Sequence, residues 1–233
     1  MQRLITLVLF VPLTLIAGCV IASNIGGAAT RPLPRQEVIA TWSLTDAENE
    51  LFNVIVSSDG AAVSTGWKGE HGSAGERGRW ELVNGALDIR YGDGWRDVIT
   101  TAPLGYHKVS YAPGLAPNAA TSAQPNNVGQ AVVLTGDEIP FVGVWTISGA
   151  LAGPKYEVTV ALRSDGMAMK SIDAINQGTW QLEAGIAHLY WADGWHTTIE
   201  QSADGSCFLK SWKPGVAITE MPTGSAPVRR MLK

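Results

Sequence analysis

Charge is scarce in this chain. Asp, Glu, Lys and Arg make up 16% of 233 residues, against about 25% in an ordinary soluble domain. The 17 basic residues are outnumbered by 21 acidic ones, for a net charge of −4. That balance argues against nucleic acid as a partner, because binding a phosphate backbone needs a basic surface. No Gly-x-Ser-x-Gly element occurs, so the serine-hydrolase reading lacks its local signature. Gly72-Ser73-Ala74-Gly75 near Lys68 does not match a phosphate loop leading into a helix. No amphipathic helix is legible beyond the first thirty residues. What remains is a chain with 26 Gly, 12 Pro and 9 Trp, a composition that suits many short strands and turns. The length allows one large domain or two small ones.

The N-terminus carries the clearest single signal. From Leu4 to Thr30 there is no charge, behind one positive charge at Arg3. The strongest apolar stretch, Leu4 to Ile16, has the length of a signal peptide. It closes on Leu15-Ile16-Ala17-Gly18-Cys19, which resembles the lipobox of bacterial lipoproteins. The resemblance implies diacylglycerol on the Cys19 thiol, cleavage before it and acylation of the new amine. It therefore implies an extracytoplasmic protein tethered to a membrane. Val20, rather than Asp, follows the cysteine, which favours the outer membrane where the host is Gram-negative. The alternative is an uncleaved N-terminal transmembrane helix, since ~20 apolar residues span a bilayer. Removal of residues 1–18 takes away Arg3, lowering the basic count from 17 to 16 and the net charge from −4 to −5. With Cys19 lipidated, Cys207 is a free thiol and reads as a small core residue.

The chain contains itself twice. Residues 78–99 and 178–199 align without a gap at an offset of 100, with 8 identities in 22; chance gives roughly one or two. Trp80 matches Trp180, and Asp93-Gly94-Trp95 matches Asp193-Gly194-Trp195. With small gaps Trp42 answers Trp145, Asp59-Gly60 answers Asp165-Gly166, and Pro113-Gly114 answers Pro214-Gly215. Cys207 falls opposite Tyr106, so it belongs to no shared disulfide design.

Each copy has a β pattern. Phe52, Val54 and Val56 alternate with Asn53, Ile55 and Ser57, and residues 156–163 do the same, as half-buried strands would. Asp-Gly turns follow in both copies. The expected fold is all-β: two tandem homologous antiparallel meanders, small barrels or sandwiches of five or six strands each. The expected divisions are a signal peptide at 1–18, a lipidated tether at 19–35, a first β domain at 36–114, a linker at 115–138, a second β domain at 139–217 and a tail at 218–233. The linker reading rests on the charge-free segment from Gly114 to Gly136, rich in Ala, Asn, Pro and Gln. The closing Arg229-Arg230-Met231-Leu232-Lys233 reads as a solvated end. Gly143-Val144-Trp145 also resembles the Gly-x-Trp opening of lipocalin-like barrels, which implies a small β-barrel or sandwich and no particular ligand residue; the first copy has Ala40-Thr41-Trp42 there.

Three roles compete for the tryptophans. The duplicated set, Trp42/145, Trp80/180 and Trp95/195, reads first as core anchors, since one Trp buries up to ~250 Å². Asp93 with Trp95, and Asp193 with Trp195, also make candidate sugar-stacking sites. Unduplicated Trp67, Trp191 and Trp212 are the candidates for protein contact, because Trp is enriched in interface cores. His188 and His196 flank a turn and can approach across strands, but two histidines without a third ligand predict no metal site. The sequence thus predicts a non-enzymatic binding or accessory subunit of an envelope or membrane complex, without cofactor beyond the lipid on Cys19. Its partners are membrane lipid and another envelope protein. A carbohydrate or small-ligand binder is the first alternative, and an enzyme with a scattered site the second.

Overall fold

Period-two alternation builds sixteen strands among the described residues. The computed structural model describes residues 31–66, 75–115, 124–148, 158–172 and 177–232. A one-turn helix, α1 (Arg35–Val38), leads into β1 (Thr41–Thr45), β2 (Leu51–Val56), β3 (Ala61–Ser64), β4 (Arg77–Val83), β5 (Ala86–Tyr91), β6 (Arg96–Ala102), β7 (Gly105–Tyr111) and β8 (Asn127–Val133). Each strand pairs antiparallel with the next, and β8 returns to β1 through Trp42↔Val133, closing a barrel. The second copy repeats this with β9 (Gly143–Ile147), β10 (Val158–Leu162), β11 (Met167–Lys170), β12 (Gly178–Glu183), β13 (Ile186–Trp191), β14 (His196–Gln201), β15 (Cys207–Trp212) and β16 (Gly224–Arg230). Strand β16 closes on β9 through Val228↔Ile147.

The chain is therefore all-β with two tandem eight-stranded barrels, more strands per copy than the five or six expected. The additional closing strands lie where composition pointed elsewhere. Strand β8 falls inside the segment read as linker, and β16 inside the segment read as tail. Both alternate cleanly: Ala131 faces in while Val128 and Val132 face out, and Ala226 and Val228 face in while Ser225, Pro227 and Arg229 face out. Closure pairs the backbone groups of β1 and β9 that would otherwise form open sheet edges.

The duplicated tryptophans seal one end of each barrel. Trp42 is fully buried and donates its indole N–H to the Val38 carbonyl at 3.1 Å; Trp145 donates to Phe141 at 2.8 Å. Trp80 donates to Ser57 at 2.7 Å and Trp180 to Arg163 at 2.6 Å. Helix α1 and the turn at 138–142 thus plug equivalent ends, with Val38 and Val142 wholly buried. Inside the first barrel, Asp97 accepts from the Tyr91 hydroxyl at 2.9 Å and from Ser110 at 2.5 Å. The second barrel makes the same connection without a charge: Trp191 donates to Thr197 at 2.9 Å, and Thr197 meets Ser211 at 3.0 Å.

The barrels are joined by a buried seam. Val63, Val144, Ala161 and Met169 form one apolar cluster, with Met231 and Leu232 packed on it. The Asn53 side chain, completely buried, donates to the Ser164 hydroxyl at 2.9 Å and accepts its N–H at 2.8 Å. Within the second barrel, the Met231 N–H bonds to the Val144 carbonyl at 2.7 Å and holds the chain end beside this cluster. Strands β2 and β10 are consequently buried on both faces. The half-buried strand expected at 52–57 is corrected on this point, because Asn53 and Ile55 face the other barrel rather than solvent. Within 156–163, Thr159, Ala161 and Arg163 are likewise buried; Tyr156 and Glu157 lie outside the described residues.

Candidate functional site: the groove between the barrels

Where the barrels diverge beside the seam, a groove of about 1120 Å³ opens, lined by β3, β4 and β5 of the first and by β9, β16 and the chain end of the second. Strand alternation supplies its wall. Arg77 and Arg79 stand two residues apart on β4, opposite Val63 and Ala61 of β3. Across β5, Arg79 is directly opposite Arg90. From the second barrel come Arg229, opposite Thr146, and Arg230, opposite Trp145.

Five arginines and three acids, Asp59, Glu81 and Asp88, line this groove, in a chain whose net charge is −4. The acids are already engaged. Arg90 pairs with Glu81 at 2.6 Å and with Asp88 at 3.1 Å, and Arg96 holds the buried Asp88 carboxylate through both oxygens at 2.8 Å. The Ser57 hydroxyl and the Ala61 N–H keep the Asp59 carboxyl below its ordinary value, with a smaller push from Arg79. Arg230 turns inward and donates to the Ile139 carbonyl at 3.0 Å and to Val142. Its Nε is buried without a hydrogen-bond partner, and burial lowers its pKa to about 10, so it stays charged at neutral pH. Among the described residues, Arg77, Arg79 and Arg229 make no ion pair.

The residues singled out from sequence lie elsewhere. Cys19 and Trp67 are outside the described residues. Trp95 and Trp195 are half-buried against their barrel cores. Asp93 accepts the Trp95 N–H at 3.0 Å and Asp193 the Trp195 N–H at 3.2 Å, so both act as turn residues. The Asp193 carboxyl also pairs with Lys170 at 2.9 Å. Burial pushes it up, but Lys170 and the Trp195 N–H together leave it below its ordinary value. Trp191 is interior, and Trp212 is buried on the outer face of barrel two, donating to the Glu220 carbonyl at 3.0 Å. Neither presents an open contact surface. These residues do not converge on one site.

His188 and His196 do meet, Nδ1 to Nε2 at 3.2 Å, with Tyr190 stacked on His196 at 4.7 Å and Trp212 beside it. Among the described residues no group of three or more His, Cys, Asp or Glu is placed to hold a metal. The arginines were missed because Arg77-Gly78-Arg79 reads as ordinary polar alternation and Arg229-Arg230 as a solvated end. The signal available was that Arg229-Arg230 is a cluster of one sign in a charge-poor chain; Arg77 and Arg79, between Glu76 and Glu81, carried no such signal. Strand β16 corrects the solvated-end reading: Arg230 is part of the barrel closure.

The fold and groove define a class, a two-barrel protein with an arginine-lined cleft between its halves. Comparison with family models, with curated proteins and with solved structures finds no match. No helix among the described residues is long and apolar enough to cross a membrane.

Proposed function

We propose that this chain is a membrane-anchored extracytoplasmic binding protein, an accessory subunit of an envelope or membrane complex, and that the inter-barrel groove receives its partner. The observation carrying this reading is the set of arginines that make no ion pair among the described residues, held on a double barrel and drawn from both halves. Rigid strands fix the backbone positions of these groups before a partner arrives, so the ordering cost on association is confined to the side chains. The address rests on the resemblance at residues 15–19, which makes Cys19 the lipid attachment point and favours the outer membrane of a Gram-negative host. The glycan alternative has no specific observation behind it, because Trp95 and Trp195 pack half-buried on their barrel cores and Asp93 and Asp193 accept the N–H groups of their own turns.

Two measurements test the reading. Cys19→Ser is expected to abolish lipid labelling and to leave uncleaved precursor; normal processing and release of that variant would sink the anchor. Affinity capture from detergent-solubilised native membranes is expected to return a stoichiometric partner with the wild-type chain. Recovery of nothing beyond what an unrelated lipoprotein returns would sink the accessory role.

A further inference from the structure

We infer that the groove binds an extended acidic polypeptide segment of the partner, with Arg77, Arg79 and Arg229 taking its carboxylates. This rests on the binding-subunit reading above and names the ligand chemistry of the same site.

Four observations lead there. The first is uncompensated charge. Arg79 and Arg90 face each other directly across β4 and β5, and like charges in that position destabilise a sheet. Arg90 is relieved by Glu81 and Asp88; among the described residues Arg79 has no ion pair, only the weak longer-range attraction of Asp59, which is already hydrogen-bonded to Ser57 and Ala61, and it sits opposite a second cation. A carboxylate placed between them removes the repulsion.

The second is the kind of cation. Among the described residues that line the groove there are five arginines and no lysine. Guanidinium forks match planar carboxylates with two parallel hydrogen bonds, where an ammonium offers a point charge. The third is spacing. Arg77 and Arg79 project from the same face of one strand, ~6.8 Å apart along it. Alternate side chains of an extended acidic peptide repeat at that same interval. Arg229 approaches from the other wall and can meet carboxylates from the opposite side.

The fourth is the floor. Ala61, Val63, Met231 and Leu232 lie between the two walls, giving apolar contact to a chain but nothing to a small inorganic anion. A volume of about 1120 Å³ exceeds what one phosphate or carboxylate fills and lies just above the range of roughly 300–1,000 Å³ for small-molecule clefts. Both barrels are closed, so a peptide cannot join either as an additional strand. Side chains in the groove are the remaining means of reading it.

The test uses the full lipidated chain in detergent and a short fluorescent peptide of alternating Glu and Val, followed by anisotropy. Binding is expected to weaken steeply with salt. It is expected to fall by about tenfold or more in Arg79→Glu and in Arg229→Glu, the loss of one charge-assisted contact or more. Arg79→Lys is expected to fall between wild type and Arg79→Glu. Should a reversal variant melt early, Arg77→Gln and Arg229→Gln replace it. A peptide with Gln in place of Glu that binds equally well would overturn the inference, as would reversal variants that bind like wild type. Binding to vesicles containing phosphatidylglycerol, with none to the peptide, would overturn it in favour of a lipid surface. Capture of the native partner unchanged by Arg79→Glu/Arg229→Glu would remove the groove inference while leaving the accessory-subunit reading in place.

Discussion

His188 and His196 occupy the same cross-strand diagonal that Asp88 and Arg96 occupy in the first barrel. One copy fills it with a two-pronged ion pair, the other with two stacked imidazoles. The consequence is a different response to acid. Burial lowers the His196 pKa, the neighbouring His188 lowers it further, and Glu183 opposes both. The other charged groups nearby, Lys210 and Glu200, are paired with each other at 2.7 Å. A depressed histidine means that the folded state binds fewer protons than the unfolded chain. Its contribution is therefore intact above about pH 6.5 and is lost as pH falls through the lower folded value. Urea midpoints are expected to drop on acidification below that point. His188→Asp/His196→Arg, which copies the first barrel, is expected to flatten the drop; an unchanged slope in the double variant would refute this origin. The same scale explains what the sequence made legible. Trp42, Trp80, Trp145 and Trp180 recur because each barrel needs an indole to close the same carbonyls, and repetition exposes a structural requirement. Arg77 and Arg229 have no such signature. They acquire meaning once two separate barrels stand side by side, which a single strand's pattern does not encode.

Hairpins show the same division at the level of elements. The turn between β4 and β5 is Asn84-Gly85, at φ +52° and +81°; between β12 and β13 it is Ala184-Gly185, at +50° and +80°. Two successive left-handed residues match the right-handed twist of the flanking strands. Asn tolerates that conformation, whereas Ala meets its own carbonyl and loses roughly 1–2 kcal/mol. Ala184 is exposed, so no packing complicates the comparison. Ala184→Gly or Ala184→Asn is expected to stabilise the protein by about 0.5–1 kcal/mol, as for relief of a strained site. Denaturant titration at constant slope measures it; a neutral or negative change would mean that the turn is strained for another reason. The Asp-Gly turns were readable in advance, and so were the inner meanders; Asn84-Gly85 and Ala184-Gly185 were not singled out. Neither were strands β8 and β16. Their residues alternate, but they are poor in large apolar side chains, and their place is fixed by closure rather than by their own preference for strand.

For the molecule as a whole, the seam decides how it unfolds. Val63 and Ala161 are buried between the barrels, and the Asn53 side chain makes its two shortest hydrogen bonds across the boundary. The full chain is therefore expected to unfold in one calorimetric transition. Val63→Arg places a charge in the apolar cluster, where no described acid stands ready to pair with it, and is expected to split the melt into two steps. Two resolved transitions in the wild-type chain would show instead that the barrels are energetically independent.

The faces that meet are equivalent ones. Strands β2 and β3 of one copy lie against β9, β10 and β11 of the other, and by alignment Val63 corresponds to Met169 and Ile55 to Ala161. The contact thus partly resembles the two-fold interface of a homodimer, but its main strand contacts run from β9 to β2 and β3 and are not mirrored to the same extent by β1. A true homodimer must present every site twice. Here the positions answering Arg77, Arg79 and Arg90 are Gln177, Thr179 and Tyr190, and those answering Arg229 and Arg230 are Val132 and Val133. The two copies are therefore unlike in charge at these positions, and the groove inference implies one acidic ligand per chain.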